Sequence, residues 1–192
     1  MQRYDILNHL VRVHDFQSYL EIGVLGRVTL DSVRVPLRHG VDPNGMGDFT
    51  MTSDRFFAGI CNRKYDLIFI DGLHLQEQVE KDIKNSLTHL NDNGIIVMHD
   101  CLPAEEYYQI RDGLPGKPWT GDVWKAFADL RCNRDDLEMF TIDTDHGCGV
   151  IKRGSQIKYK YPEGGWTWDV FKQHRNELMS VITVEEFLNG RS

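Results

Sequence analysis

Residues 65–72 read YDLIFIDG and residues 94–100 read GIIVMHD. Each is a near-continuous apolar run of strand length, and each ends on a carboxylate, Asp71 or Asp100. Apolar residues at successive rather than alternate positions suit a strand buried on both faces, as in a parallel sheet. Between the runs, Val79, Ile83 and Leu87 fall at steps of four, which predicts a helix over 76–90 closed by Asn93-Gly94. The pair of strands and the intervening helix make a βαβ unit.

The pattern extends in both directions. Ile6, Leu7, Leu10 and Val11 predict an opening amphipathic helix, and SYLEIGV at 18–24 a first strand. A helix carrying Val28, Val33 and Leu37 follows, which Pro36 ends or kinks. A short second strand precedes VDPNG, FTMTS at 49–53 reads as a third, and a short helix runs through Phe56, Phe57 and Ile60. Beyond Asp100, residues 102–119 are rich in Pro, Gly and Tyr and predict a lid over the strand ends. A helix over 123–130 comes next. LEMFTIDTD and GCGVIKR flank His146-Gly147 and predict an antiparallel hairpin, and a last helix covers 167–188. The expected organisation is one α/β domain over 1–192, with an N-terminal helix in 1–17, a substrate loop at 102–122 and a helical C-terminal extension over 155–192.

Composition narrows the function classes. The 192 residues are 41% hydrophobic with a formal net charge of −7. That is enough to bury a core, and it offers no basic footprint for nucleic acid. No run approaches the ~18–20 apolar residues of a membrane span, and the opening residues lack the plan of a signal peptide. Cys61, Cys101, Cys132 and Cys148 show no C-x-x-C pair or zinc spacing, as expected of a reduced, cytoplasmic protein.

Ligands of open α/β sheets bind beyond the carboxyl ends of the strands. There the sequence places Glu21, Gly23, Val24 and Gly26, then Asp42, then Asp71. The glycines let a backbone approach a ligand closely, and Asp42 can accept ribose hydroxyls. Ordinary turn chemistry at Gly23 and Gly26, or capping by Asp42 before Pro43, explains the same residues. A nicotinamide site stays open too, although only two glycines stand where G-x-G-x-x-G would need three.

LEIGVLGR, GVDPN, YDLIFIDGLH, NDNGIIVMHDC and GDVWKAF together resemble the class I S-adenosylmethionine-dependent methyltransferases. The likeness is greatest to the small bacterial group found with sugar- and glycan-modifying genes (methyltransferase family 24-like), and it spans residues 19–153. It implies a Rossmann-like α/β fold: a seven-stranded, mainly parallel sheet with an antiparallel last strand and helices on both faces. It also implies S-adenosylmethionine as cofactor. Glu21, Gly23 and Gly26 would then line the methionine end, Asp42 the ribose and Ser53 or Asp54 the adenine, with Val24 and Asp71 also on the cofactor. The glycine loop is about one residue shorter than usual, with Leu25 where a small residue is common.

Methyl transfer from a sulfonium is an in-line displacement, and a neutral hydroxyl acceptor needs a base or a cation to become nucleophilic. Asp71 and Asp100 end neighbouring strands ~4.8 Å apart, so they can converge on a hard cation such as Mg2+ or Mn2+. His74, three residues after Asp71, is the candidate base. The spacing resembles metal-dependent O-methyltransferases acting on catechols and macrolide sugars, with His99 as a nitrogen ligand where those enzymes carry an acidic pair. Simpler roles stay open: Asp71 as a helix cap, His74 as a surface residue, Asp100 bonded to a loop backbone, and Trp119, Trp124, Tyr107 and Tyr108 as packing rather than sugar platforms. The expected reaction is O-methylation of a hydroxyl on a small molecule or glycan. A metal-independent N- or C-methyltransferase and a non-catalytic cofactor-binding partner remain alternatives, and the C-terminal helix is a candidate contact in a homo-oligomer.

Overall fold

A computed structural model describes residues 1–190; residues 191–192 of the expected C-terminal extension lie outside the described residues. The central unit forms, but its second strand opens at Leu90, so Asn93-Gly94 lies inside the strand, where the pairing shifts register, instead of closing the helix. Strand β3 (Tyr65–Ile70) leads through helix α4 (Gln76–Thr88) to β4 (Leu90–Met98). Around it lie α1 (Arg3–His14), β1 (Ser18–Ile22), α2 (Val28–Ser32), β2 (Leu37–Val41) and α3 (Ser53–Gly59) on the N-terminal side. Helix α5 (Val123–Asn133), β5 (Leu137–Ile142), β6 (Cys148–Arg153), α6 (Trp168–Leu178), β7 (Val181–Ile182) and α7 (Val184–Leu188) complete the chain.

The strands form a seven-stranded sheet in the order β2-β1-β3-β4-β6-β5-β7. All pairings are parallel except those of β6, the last of the longer strands, which runs antiparallel to both β4 and β5. This is the Rossmann-like, mainly parallel seven-stranded architecture expected from the sequence. Alternate side chains feed two apolar layers, one on each face. Leu20, Ile22, Ile68, Ile70, Ile96 and Met98 pack with α3, α4, α5 and α6. Tyr19, Leu67, Phe69, Ile95 and Val97 pack on the other face with α1, α2 and α7.

Three other expected elements differ. The helix after Gly26 ends at Ser32, and Leu37 begins β2 instead of continuing it. Pro36 lacks the N–H for another helical turn and forces the residue before it into extended backbone. The expected third strand, FTMTS, contributes only an isolated parallel bridge between Val41 and Phe49, because Thr52 caps α3 and turns the chain three residues later. The single helix expected over 167–188 is broken. Ser180 takes a left-handed φ of 47°, and the β-branched run at 181–183 yields β7 before α7 restarts with a Thr183–Glu186 capping box.

What positions the site is a shared register. Ile22 lies opposite Val41 and Ile70, and Ile70 opposite Met98. The next residues, Gly23, Asp42, Asp71 and His99, therefore emerge on one rim. Gly23 has a φ of 85°, and a Cβ there would lie 2.2 Å from the Asp71 carbonyl oxygen. Gly23→Ala should therefore cost roughly 2–4 kcal/mol from backbone strain plus overpacking, read as a lowered midpoint in urea unfolding.

Candidate functional site

Just beyond the strand ends lies a cluster of three carboxylates and three cationic or ionisable nitrogen groups. His74 Nε2 stands 3.3 Å from Asp71 Oδ1, and its Nδ1 3.3 Å from Asp100 Oδ2. His99 Nδ1 lies 3.3 Å from Asp71 Oδ1 and 3.2 Å from Asp100 Oδ1. Its Nε2 faces Asp145 Oδ1 at 3.3 Å. Arg3 closes the cluster, with Nη1 2.8 Å from Asp71 Oδ2 and Nε 3.0 Å from Asp145 Oδ2. Asp100 reaches its place with a left-handed φ of 61°.

Burial makes this network electrostatically strained unless every charge is matched. Burial opposes ionisation of Asp71, but its two imidazole neighbours outweigh that and hold its pKa well below the usual carboxylate range. Asp145 is depressed in the same way, against burial, by His99 and Arg3. Burial also opposes the charged form of His99, yet Asp100, Asp145 and Asp71 push it up to about 11. That leaves an imidazolium. His74 is raised as well, with Asp71 and Asp100 overcoming burial.

Each of these residues has partners of its own. Asp71 does not cap the following helix. The α4 N-terminus is served by Asp122, which accepts from the Gln76 N–H at 2.8 Å. Asp100 faces the two imidazoles. Asp42 is bonded within the turn: its carboxylate accepts from Val24 N–H at 2.9 Å and Asn44 N–H at 2.7 Å. Ser53 and Asp54 open α3 and are joined to α4 by the Gln78 amide, at 3.3 and 3.0 Å. Glu21 is buried at the end of β1, with the Tyr19 hydroxyl donating to it at 2.5 Å. Trp124 is core, packed on Phe171. Trp119 is different: it stacks on His74 at 4.8 Å and 28°.

For a metal, the structure groups Asp71, His74 and Asp100, with one ligand atom from each within 4.8 Å of the others. Two hard oxygens and a nitrogen suit a divalent ion, and the buried His74 Nδ1 lacks a hydrogen-bond partner of good geometry. His99, the nitrogen ligand expected from the sequence, also turns Nδ1 to Asp71 and Asp100, with its Nε2 towards Asp145.

Sequence reasoning missed Arg3 and Asp145. Arg3 comes from the first turn of α1, and Asp145 from the β5–β6 turn, so neither sits after an apolar strand. Their one local signal is a charged residue at an element boundary, which is commonplace.

Loop 102–122 covers the cluster. Thr120 and Gly121 N–H donate to the Tyr108 carbonyl, and Asp122 N–H to that of His74. Beside Asp145 lies a groove of about 640 Å³, bounded by Pro103 and Glu105 of the loop, His146 of the hairpin, and Trp168, Lys172 and Arg175 of α6. A larger cavity of about 960 Å³ lies between α4 and α5, lined at its far end by Leu137 and Arg153. Those two residues are at the opposite end of the sheet, so it is remote from this chemistry.

A family model described as a methyltransferase domain matches residues 32–101. No curated protein sequence matches. Among solved structures, the chain is similar to the O-methyltransferase from Bacillus cereus in complex with SAH, at 14% identity over 79% of this chain and 80% of that one, TM-score 0.57. It is also similar to the O-methyltransferase TomG from Streptomyces achromogenes in complex with SAM, at 13% identity over 80% of each chain, TM-score 0.57. MycE methyltransferase from the mycinamycin biosynthetic pathway, in complex with Mg, SAH and mycinamycin VI, aligns at 17% identity over 83% of this chain and 50% of that one, TM-score 0.52. Sheet order and structural neighbours agree: the chain has the class I S-adenosylmethionine-dependent methyltransferase fold, and residues 32–101 match the methyltransferase-domain model.

Proposed function

We propose that this protein is an S-adenosylmethionine-dependent O-methyltransferase acting on a hydroxyl of a small molecule or sugar. The observation that carries the reading is His74, held between Asp71 and Asp100 at the strand rim with Trp119 stacked on its ring. Two carboxylates fix the imidazole's orientation and favour its protonated form, which is what a group taking a proton from an acceptor hydroxyl requires. Trp119 shields one face of the ring from water.

S-adenosylmethionine, when bound, supplies the sulfonium methyl. On the cofactor side, Gly23 lets β1 and β3 approach closely, and the space a Cβ would take at Gly26 is open. Leu25 is 92% exposed, and Val28 and Met46 are also exposed. These apolar side chains around the glycine turn offer a surface for a nucleoside to cover. Asp42 ties this turn to β2, while Ser53 and Asp54 stand at the start of α3 for the adenine side. Burial raises the Glu21 pKa to about 8, against the pull of the Tyr19 hydroxyl and with a push from Asp71. A cationic ligand at this rim would favour its charged form.

Asp71 and Asp100 would hold a divalent ion, which would lower the acceptor hydroxyl's pKa, leaving His74 to take the proton. MycE, whose structure contains Mg and a macrolide, supports this reading by its fold. The acceptor fits the groove beside Asp145, where Trp168 offers a ring face and loop 102–122 the opposite wall. The described residues include no helix long and apolar enough to cross a membrane, and all four cysteines are free, which agrees with a reducing, cytoplasmic setting. Homo-oligomer formation through the C-terminal helices belongs to the same reading.

His74→Ala should lower kcat by ~10²–10⁴ while calorimetry shows S-adenosylhomocysteine binding within about twofold of the parent. Undiminished turnover with every acceptor would remove His74 from the chemistry. With no ion bound, Asp71 and Asp100 raise the His74 pKa, so its imidazole should titrate above the ordinary ~6.5 of histidine in NMR spectra of the metal-free protein. Trp168→Ala should raise the acceptor KM and spare cofactor affinity; a change in cofactor affinity alone would place the acceptor elsewhere. Glu21 gives a stability test. Its folded pKa of about 8 exceeds the ordinary 4.5, so the folded state binds the proton more tightly and stability falls as pH rises between those values. Glu21→Gln should remove that slope, on the order of a few kcal/mol, in unfolding midpoints measured from pH 4 to 9.

A further inference from the structure

The N-terminal helix delivers a permanent positive charge to the same carboxylate that would ligate an ion. Arg3 Nη1 stands 2.8 Å from Asp71 Oδ2. The rest of the residue is tethered to Asp145, whose carboxylate accepts from the Arg3 backbone N–H at 2.8 Å, Nε at 3.0 Å and Nη2 at 3.2 Å. A guanidinium cannot shed its charge as a histidine can. Its helix is held by Ile6, Leu7 and Leu10, all fully buried, but Arg3 is the first helical residue, and Gln2 before it is exposed. Moving the side chain off Asp71 therefore requires only the first turn to loosen, with the apolar anchors left in place.

Asp71 therefore has three claimants before any ion arrives: Arg3, His74 and His99. Docked, Arg3 engages Oδ2 and leaves Oδ1 to the imidazoles. An ion drawing on both Asp71 and Asp100 would stand beside the guanidinium, and two like charges so close in a half-buried site repel strongly.

We propose that Arg3 and a divalent cation compete for Asp71, so that docking of the α1 first turn sets whether Asp71 and Asp100 hold an ion. Arg3 is in this account a positioning residue, and Asp145 is the anchor that keeps it at the rim. The proposal rests on the metal-assisted form of the methyltransferase reading, but its test needs neither cofactor nor acceptor, so either can fail alone.

The probe is Mn2+ by itself, titrated into the purified chain and followed by electron paramagnetic resonance and calorimetry. Arg3→Met should bind one Mn2+ per chain about tenfold more tightly than the parent, or more, as the repulsion is removed, and Mg2+ should displace it. Equal affinity in the two proteins, tighter binding by the parent, or no binding by either overturns the competition. Should Arg3→Met fail to fold, the parent still decides the matter. Saturating Mn2+ should speed hydrogen exchange in the first turn of α1 and leave the helix beyond Leu7 protected, whereas Mn2+ bound with the first turn unchanged would show that both cations fit together.

Discussion

Everything at the rim depends on parallel ladders that end in step. With Ile22, Val41, Ile70 and Met98 level across four strands, the residues that follow cannot scatter. The sheet's own hydrogen bonds fix where the polar tips go, before any tip-to-tip interaction counts. The antiparallel β6 then enters beside β4 with Gly149 opposite Met98, which brings the β5–β6 turn and Asp145 to the same end. A parallel strand at that position would have sent the turn to the far side.

The register gathers acids that cannot stand together unmatched. Asp71, Asp100 and Asp145 are all substantially withdrawn from water, and removing a carboxylate from water without a partner costs several kcal/mol. The chain answers with imidazoles from two loops and a guanidinium from a helix. The result is weak evidence for stability, because desolvation offsets most of the attraction, but strong evidence for orientation. Each ring nitrogen of His74 and His99 has a carboxylate within 3.3 Å, so charge orients both rings even where hydrogen-bond geometry is poor.

Much of this was legible in sequence where one element carries its own signal. The βαβ unit could be read because 65–72 and 94–100 are apolar throughout, and Asp71, His74, His99 and Asp100 could be read because polar residues at the ends of such strands have few other reasons to be there. The β5–β6 hairpin followed from alternation around His146-Gly147. What was not legible was non-local. Arg3 reaches Asp71 across 68 positions, and no periodicity encodes a helix-terminal side chain turned onto a distant strand end. FTMTS has strand composition, but capping by Thr52 prevailed over propensity. In the last helix the conflict was internal, since Val181–Thr183 suits an edge strand better than a helix, and the free side of β5 was available to pair with it.

The two short pieces at the margins of the sheet have a consequence for self-association. On one margin, Phe49 donates to the Gly40 carbonyl, its own carbonyl accepts from Asp42 N–H, and the Asp48 carboxylate takes the Gly40 N–H. On the other, Val181 and Ile182 cover Thr141 and Ile142 for two residues before Thr183 begins a helix. Backbone groups that would otherwise template a foreign strand are spent on fragments too brief to recruit one. Both borders are thereby shortened, which leaves fibril-like growth through main-chain pairing less edge to start from.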